Sequence, residues 1–275
     1  MKKILLSVLA FVSILGLLSG CVSPDAPAIP TTTDISTTAT TQVTNAATTE
    51  TTTEATTEAT TEATTQPEHS ELYLPYLSVE DVIRYFNEVC LDAEIVNAGD
   101  PTRLQKWVVP IRYYINGAYT DADKATLDSF VSWLNQMEGF PGMHMVDDPA
   151  LANLNIHFCD ADAYLTLMGN NFYGTDGGVT FWYNGADQIY NVVIGYRTDL
   201  DQKVRNSLIL EEIYNGLGPI NDTQERMTSI IYTGYSIPQW LSEEDQLIMK
   251  LLYHPLMQCG MDADQCADVI RQLYY

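Results

Sequence analysis

Glu211 and Glu212 stand side by side in a stretch that reads Glu-Glu-Ile-Tyr-Asn-Gly-Leu-Gly-Pro-Ile-Asn-Asp over residues 211–222, and paired carboxylates are the residue type that acid–base hydrolysis uses. Their spacing argues against a shared task. Consecutive residues on a helix project roughly 100° apart, so the two converge poorly on one substrate. Adjacent acids also commonly mark a solvated helix face, but here Leu208 and Ile209 lie one turn before Glu212, and Asn215 and Gly216 one turn after. That neighbourhood predicts partial burial. A buried carboxylate must be paired, hydrogen-bonded or protonated, so an Arg, a Tyr hydroxyl or backbone donors are expected beside it. Glu211, Glu212 and Asp222 also offer oxygens to a hard ion such as calcium, although the loop lacks a recognisable ligand run.

Other reactive side chains are scattered. His69 falls in a Thr-rich stretch, while His144, His157 and His254 are far apart along the chain; surface or satisfied core histidines are the simpler expectation. Apart from Cys21 the cysteines are Cys90, Cys159, Cys259 and Cys266. Cys259 with Cys266 is the preferred disulfide, because a short loop and the first turn of a helix could bring them together; isolated buried thiols remain the alternative. Their spacing is not a zinc signature. Tyr173, Trp182, Tyr183 and Trp240 would make a glycan platform if they faced solvent in a row, whereas core packing is the plainer reading of Trp182 and Tyr183 on a strand. There is no nucleotide loop, nucleophile elbow or catalytic triad motif, and no cofactor is expected.

The 211–222 stretch resembles the metzincin metalloproteases, whose pattern is H-E-x-x-H-x-x-G-x-x-H. On that pattern Glu212 takes the place of the general base and Gly218 that of the turn, but Glu211, Asn215 and Asn221 stand where the three zinc histidines would be. Zinc binds imidazole and thiolate far better than a carboxamide oxygen, so one Glu and two Asn make a poor zinc site. Without zinc, Glu212 has no polarised water to deprotonate. Ser229-Ile230-Ile231-Tyr232 is similar to the turn beneath a metzincin zinc, with Ile231 for the Met, and Leu241-Ser242 with Asp245 and Leu252-Tyr253 is similar to the closing helix. A broader resemblance is to the bacterial secreted family catalogued as domain of unknown function 2927. It is carried by Phe86-Asn87-Glu88-Val89 with Glu94, Lys106-Trp107 with Pro110-Ile111-Arg112, Glu211-Glu212, Leu217-Gly218, Asn221-Asp222, Leu252-Tyr253 with Pro255, and Gly260-Met261. The family has a Gln where this chain has Asn215. The resemblance implies a zincin-like fold and an exported address, and it assigns no reaction.

At the other end of the chain, Lys2 and Lys3 precede an apolar run from Ile4 to Leu18, and Leu18-Ser19-Gly20-Cys21 follows at once. This is similar to a bacterial lipobox, which implies cleavage before Cys21 and a diacylglyceryl thioether on its thiol. The run is shorter than the roughly 20 residues of a spanning helix, and two acyl chains anchor stably where one is marginal. Residues 1–20 are thus expected to be a leader and Cys21 the attachment to a membrane, on its extracytoplasmic side.

Between this anchor and the rest lies a Thr/Glu-rich segment, residues 21–71, with Thr-Glu-Ala-Thr three times in succession from Thr53 to Thr64. It cannot bury enough surface to offset the entropy of ordering, so a disordered tether is expected, with a root-mean-square span of roughly 40 Å. Residues 72–275 carry all four Trp and can bury one sizeable core. With 36 Asp and Glu against 13 Lys and Arg the chain has a net charge of -23, which excludes nucleic acid as a natural partner. A cell-wall component or an extracellular protein, peptide or glycan is the expected kind of partner.

The elements that must position these residues can be read from periodicity. Ser78 and Asp81 open a helix to about Cys90, Trp107 to Ile115 reads as a strand ended by Asn116-Gly117, and Thr120 opens a helix that Gly139 stops. Leu154 to Phe158 is a short strand, Ala161 to Met168 a short helix, and Gly178 to Tyr183 and Ile189 to Tyr196 two more strands. A long helix from near Asp199 or Asp201 to about Asn215, closed by Gly216 and Gly218, carries the Glu pair. Helices over Ser242 to Tyr253 and Asp262 to Tyr274 follow. The expected class is α+β, one zincin-like domain with a mixed sheet, a long central helix and a helical C-terminal part.

Overall fold

The computed structural model describes residues 70–91, 103–234 and 236–275. The leader, Cys21, the tether up to His69, and Glu94 lie outside the described residues. No helix among the described residues is long and apolar enough to cross a membrane.

Helix α1, Val79–Cys90, begins with a reciprocal cap: Ser78 Oγ accepts from Asp81 N, and the Asp81 carboxylate accepts from Ser78 N. Val82, Ile83, Phe86 and Val89 form its buried side. The single strand expected over 107–115 is divided into β1, Lys106–Trp107, and β2, Ile111–Gly117. Pro110 between them has no N–H to give a ladder, and Val108 and Val109 are exposed. Thr120 and Asp123 cap α2, Asp121–Leu134, in the same reciprocal way. There follow β3, Met143–Met145, β4, Leu154–Cys159, α3, Ala161–Met168, β5, Gly177–Tyr183, and β6, Gln188–Arg197. Then come α4, Gln202–Gly216, α5, Glu243–Tyr253, and α6, Ala263–Leu273. β3 has no counterpart among the sequence-based expectations. Three residues are too few to show a period, and only pairing with β2 defines the strand.

β3, β2, β4 and β6 run parallel in that order, β1 runs parallel to the first residues of β6, and β5 pairs antiparallel with β6. Strands and helices alternate up to β6 and helices alone follow, which is the α+β class expected. Successive residues on β5 face opposite ways. A Cβ on Gly177 would meet Glu212 and Leu208 of α4, whereas one on Gly178 would meet Tyr164 of α3 and Phe172. Helices α4 and α3 therefore cover opposite faces of the sheet.

α4 is buried on every side from Ser207 to Gly216, so its sequence shows little amphipathic period. The carboxylate of one buried acid and the backbone of another fix it. Asp123 of α2 receives Arg205 Nη2 at 2.7 Å and Nε at 3.1 Å, as well as Gln202 Nε2 and Thr120 N. This two-point pair locks the start of α4 to the start of α2. At the other end the Tyr214 hydroxyl donates to Asp245 O of α5. The Asp245 carboxylate accepts from Tyr85 Oη, Ser229 Oγ, Ile230 N and Ser242 N. Four donors from α1, the 229–230 turn and the head of α5 thus converge on one buried acid. The end of α6 also closes on the segment that precedes α1. The Tyr274 hydroxyl lies 2.8 Å from Leu74 O and 2.9 Å from Leu77 O, and Leu74 N donates to it at 3.3 Å.

Candidate functional site

The carboxylates singled out from the sequence are deeper than expected. Glu211 and Glu212 are 2% and 0% exposed, and Asn215, one turn on, is 1% exposed. Glu212 lies over the start of β5, where a Cβ on Gly177 would stand 2.8 Å from its Oε1. Gly177 is the residue that leaves room for this carboxylate. Tyr164 and Tyr196 feel its charge. Burial raises both phenols well above the ordinary range, and Glu212 adds to the effect. Their hydroxyls are engaged elsewhere, Tyr164 with Thr175 Oγ1 at 2.6 Å and Tyr196 with Ile209 O at 3.2 Å.

The three positions that align with zinc histidines do not assemble a metal centre. Glu211 and Asn215 share a side of α4 by helical spacing, and the Asn215 Oδ1 has no hydrogen-bond partner among the described residues. Asn221 is turned away, its Nδ2 donating to Glu88 O at 3.0 Å. The whole loop after α4 is moored to the end of α1. Ile220 N donates to Val89 O at 2.7 Å, and the Glu88 carboxylate accepts from Thr223 Oγ1 and Gln224 N. Gly218 lets the same loop pass close to Gln105 and Leu252: at φ +137 it adopts a backbone that favours glycine, and a Cβ there would fall 2.8 Å from Gln105 O. Zinc does not fit this donor set, because one carboxylate and two carboxamides, one of them held by Glu88, offer no imidazole or thiolate. Among the described residues no group of three His, Cys, Asp or Glu could hold a metal ion, and this includes Glu211, Glu212 and Asp222 as a calcium set.

Below that loop, the turn at Ser229–Tyr232 is buried at Ser229, Ile230 and Ile231, and Thr223 N donates to Ile231 O. Asp245 holds the turn in place. The role of Asp245 was open to view only as a Ser242-x-x-Asp245 capping pattern, since nothing in the sequence joins it to Tyr85 or Ser229. Lys106 is another residue whose part emerges only in three dimensions. It is buried, donates to Leu252 O at 2.9 Å and Met257 O at 2.5 Å beyond the end of α5, and lies 5.6 Å from the Tyr253 ring. Burial lowers its ammonium from 10.5 to about 8.

His144, His157 and His254 sit on β3, on β4 and just past α5, none of them with the Glu pair. The Cys259–Cys266 bond expected from the sequence is not formed: Cys90, Cys159, Cys259 and Cys266 are all free thiols. Cys266 is turned into the core from α6, while Cys259 Sγ lies 3.6 Å from Lys106 O. The aromatic platform is also not assembled. Trp182 and Tyr183 alternate on β5 and so face opposite ways, Trp240 packs edge-on against Phe130, and Tyr173 is 81% exposed in the loop after α3.

A family model described as "Protein of unknown function (DUF2927)" matches residues 79–272. No curated protein matches the chain. Among solved structures, the crystal structure of myroilysin is similar at 10% sequence identity and a TM-score of 0.37, covering 66% of this chain and 98% of that one.

Proposed function

The chain belongs to the family described as Protein of unknown function (DUF2927), and from that premise we propose a lipid-anchored extracytoplasmic protein whose zincin-like domain binds a ligand rather than cleaving one. The observation that carries the non-catalytic part is the position of Glu212. Its carboxylate is fully buried between α4 and Gly177 of β5, and a general base must come within about 3 Å of the proton it removes. The residues around it supply no zinc-binding set to activate a water, which speaks further against peptide hydrolysis. A hydrolase that uses Glu211 and Glu212 directly is disfavoured by the same burial. The anchor rests on the lipobox-like sequence that ends at Cys21.

Hydrolysis assays decide the catalytic question. The purified chain, with and without added zinc, is expected to leave a mixed peptide library and casein intact. Zinc-dependent cleavage that disappears in Glu212→Gln would overturn the non-catalytic reading. Mass spectrometry of the membrane-extracted protein is expected to find two acyl chains on Cys21.

A further inference from the structure

A cavity of about 520 Å³ opens where the described chain enters the fold, walled by Ser70–Leu72, the end of α2, the last turn of α5 and Leu273 of α6. That volume falls within the roughly 300–1,000 Å³ of small-ligand sites. One wall is Trp133, continued by Met137 and Leu72. Trp133 is stacked on Phe130, with ring centroids 5.9 Å apart and planes at 22°, so the core takes one face of the indole and holds the ring in place. Around it stand Gln136, Glu138 and Glu71, with Lys250 and His254 one turn apart along the end of α5. The side chains of Glu71, Glu138 and Lys250 make no hydrogen bond or ion pair with other described residues. Donors and acceptors of both signs therefore surround a fixed aromatic wall without pairing among themselves.

That combination selects a class of ligand. A lone phosphate or carboxylate would meet two acids, and a simple cation would meet Lys250. A purely apolar group would strand the charges without water. A pyranose ring has an apolar C–H face for an indole and hydroxyls that both donate and accept. We propose that this cavity binds a neutral oligosaccharide, one ring lying on Trp133 and its hydroxyls reaching Gln136, Glu138 and Lys250. The assignment rests on the binding reading above and gives it a ligand class. It lies apart from the Glu211–Glu212 helix.

Titration calorimetry of the whole chain with cellotriose, maltotriose and triacetylchitotriose tests it. At least one of the three is expected to bind saturably, with Trp133→Ala weakening it about tenfold or more and Lys250→Ala about threefold. Tyr173→Ala, exposed and outside the cavity, is expected to leave it unchanged. Lys250 is half-buried at the helix end, so its replacement decides the matter if Trp133→Ala fails to fold. No binding by any of the three, or binding indifferent to both cavity changes, overturns the assignment. That failure is separable from failure of the non-catalytic reading, which the peptide and casein assays decide independently.

Discussion

Four donors depend on the Asp245 side chain. Replacing it with Ala leaves the Tyr85 and Ser229 hydroxyls only each other, 3.0 Å apart, and two backbone N–H groups without their acceptor, and each stranded buried group costs about 1–3 kcal/mol. A loss of about 3 kcal/mol or more is expected in urea unfolding. Gly177→Ala is expected to cost about 1–3 kcal/mol through the clash with Glu212 Oε1, and a measured loss under about half of one would mean that the carboxylate moves aside freely. Lys106 gives the fold a pH dependence of definite sign. Its folded pKa of about 8 lies below the ordinary 10.5, so between those values the unfolded chain holds a proton that the folded chain has released. Stability from this group therefore rises with pH across that window, by up to about 3 kcal/mol, and is flat below it. Urea unfolding at pH 7.5 and pH 10 checks this when wild type is set against Lys106→Met, which cancels the other titrating groups. A difference between the two proteins that stays constant with pH would remove the prediction.

At the scale of elements, what local chemistry governs was readable. The Ser78, Thr120 and Ser242 caps are set by side chains three residues apart, and they fall where the pattern places them. α3 runs over Ala161–Met168 as expected, and Asp160 caps its start. Long-range contacts were not readable. β3 exists because β2 offers it an edge, and the 107–115 strand divides because β1 meets β6 while β2 meets β4. The candidate site divides along the same line: Glu211, Glu212 and Gly218 were found from spacing, whereas Gly177 and Glu88 are linked to them only by the fold. The Arg205–Asp123 pair, which joins α4 to α2, tests how such a contact is weighted. Asp123→Leu strands a buried guanidinium and is expected to cost about 3–5 kcal/mol, while adding Arg205→Met is expected to restore most of it. The double-mutant cycle, read by urea unfolding, would contradict this if the paired change were as damaging as the single one.

For the whole molecule, the proposed attachment at Cys21 predicts that Cys21→Ala shifts the protein from the membrane to the soluble fraction, measured by detergent phase partition; wild-type-like membrane retention would count against the anchor. An attachment of this kind also makes the fold a mechanical object. A pull through such an attachment would meet, within the first described residues, the Tyr274 hydroxyl at the backbones of Leu74 and Leu77. The two ends of the described fold are thus fastened to each other beside the point where such a load would enter. Tyr274→Phe removes that fastening, so in single-molecule pulling from the N-terminal side the first rupture is expected at lower force, with the thermal midpoint lowered by about 2–4 °C per kcal/mol lost. The tyrosine near the chain's end would then serve as a strain relief, in the sense that a clamp on a cable protects the joint behind it.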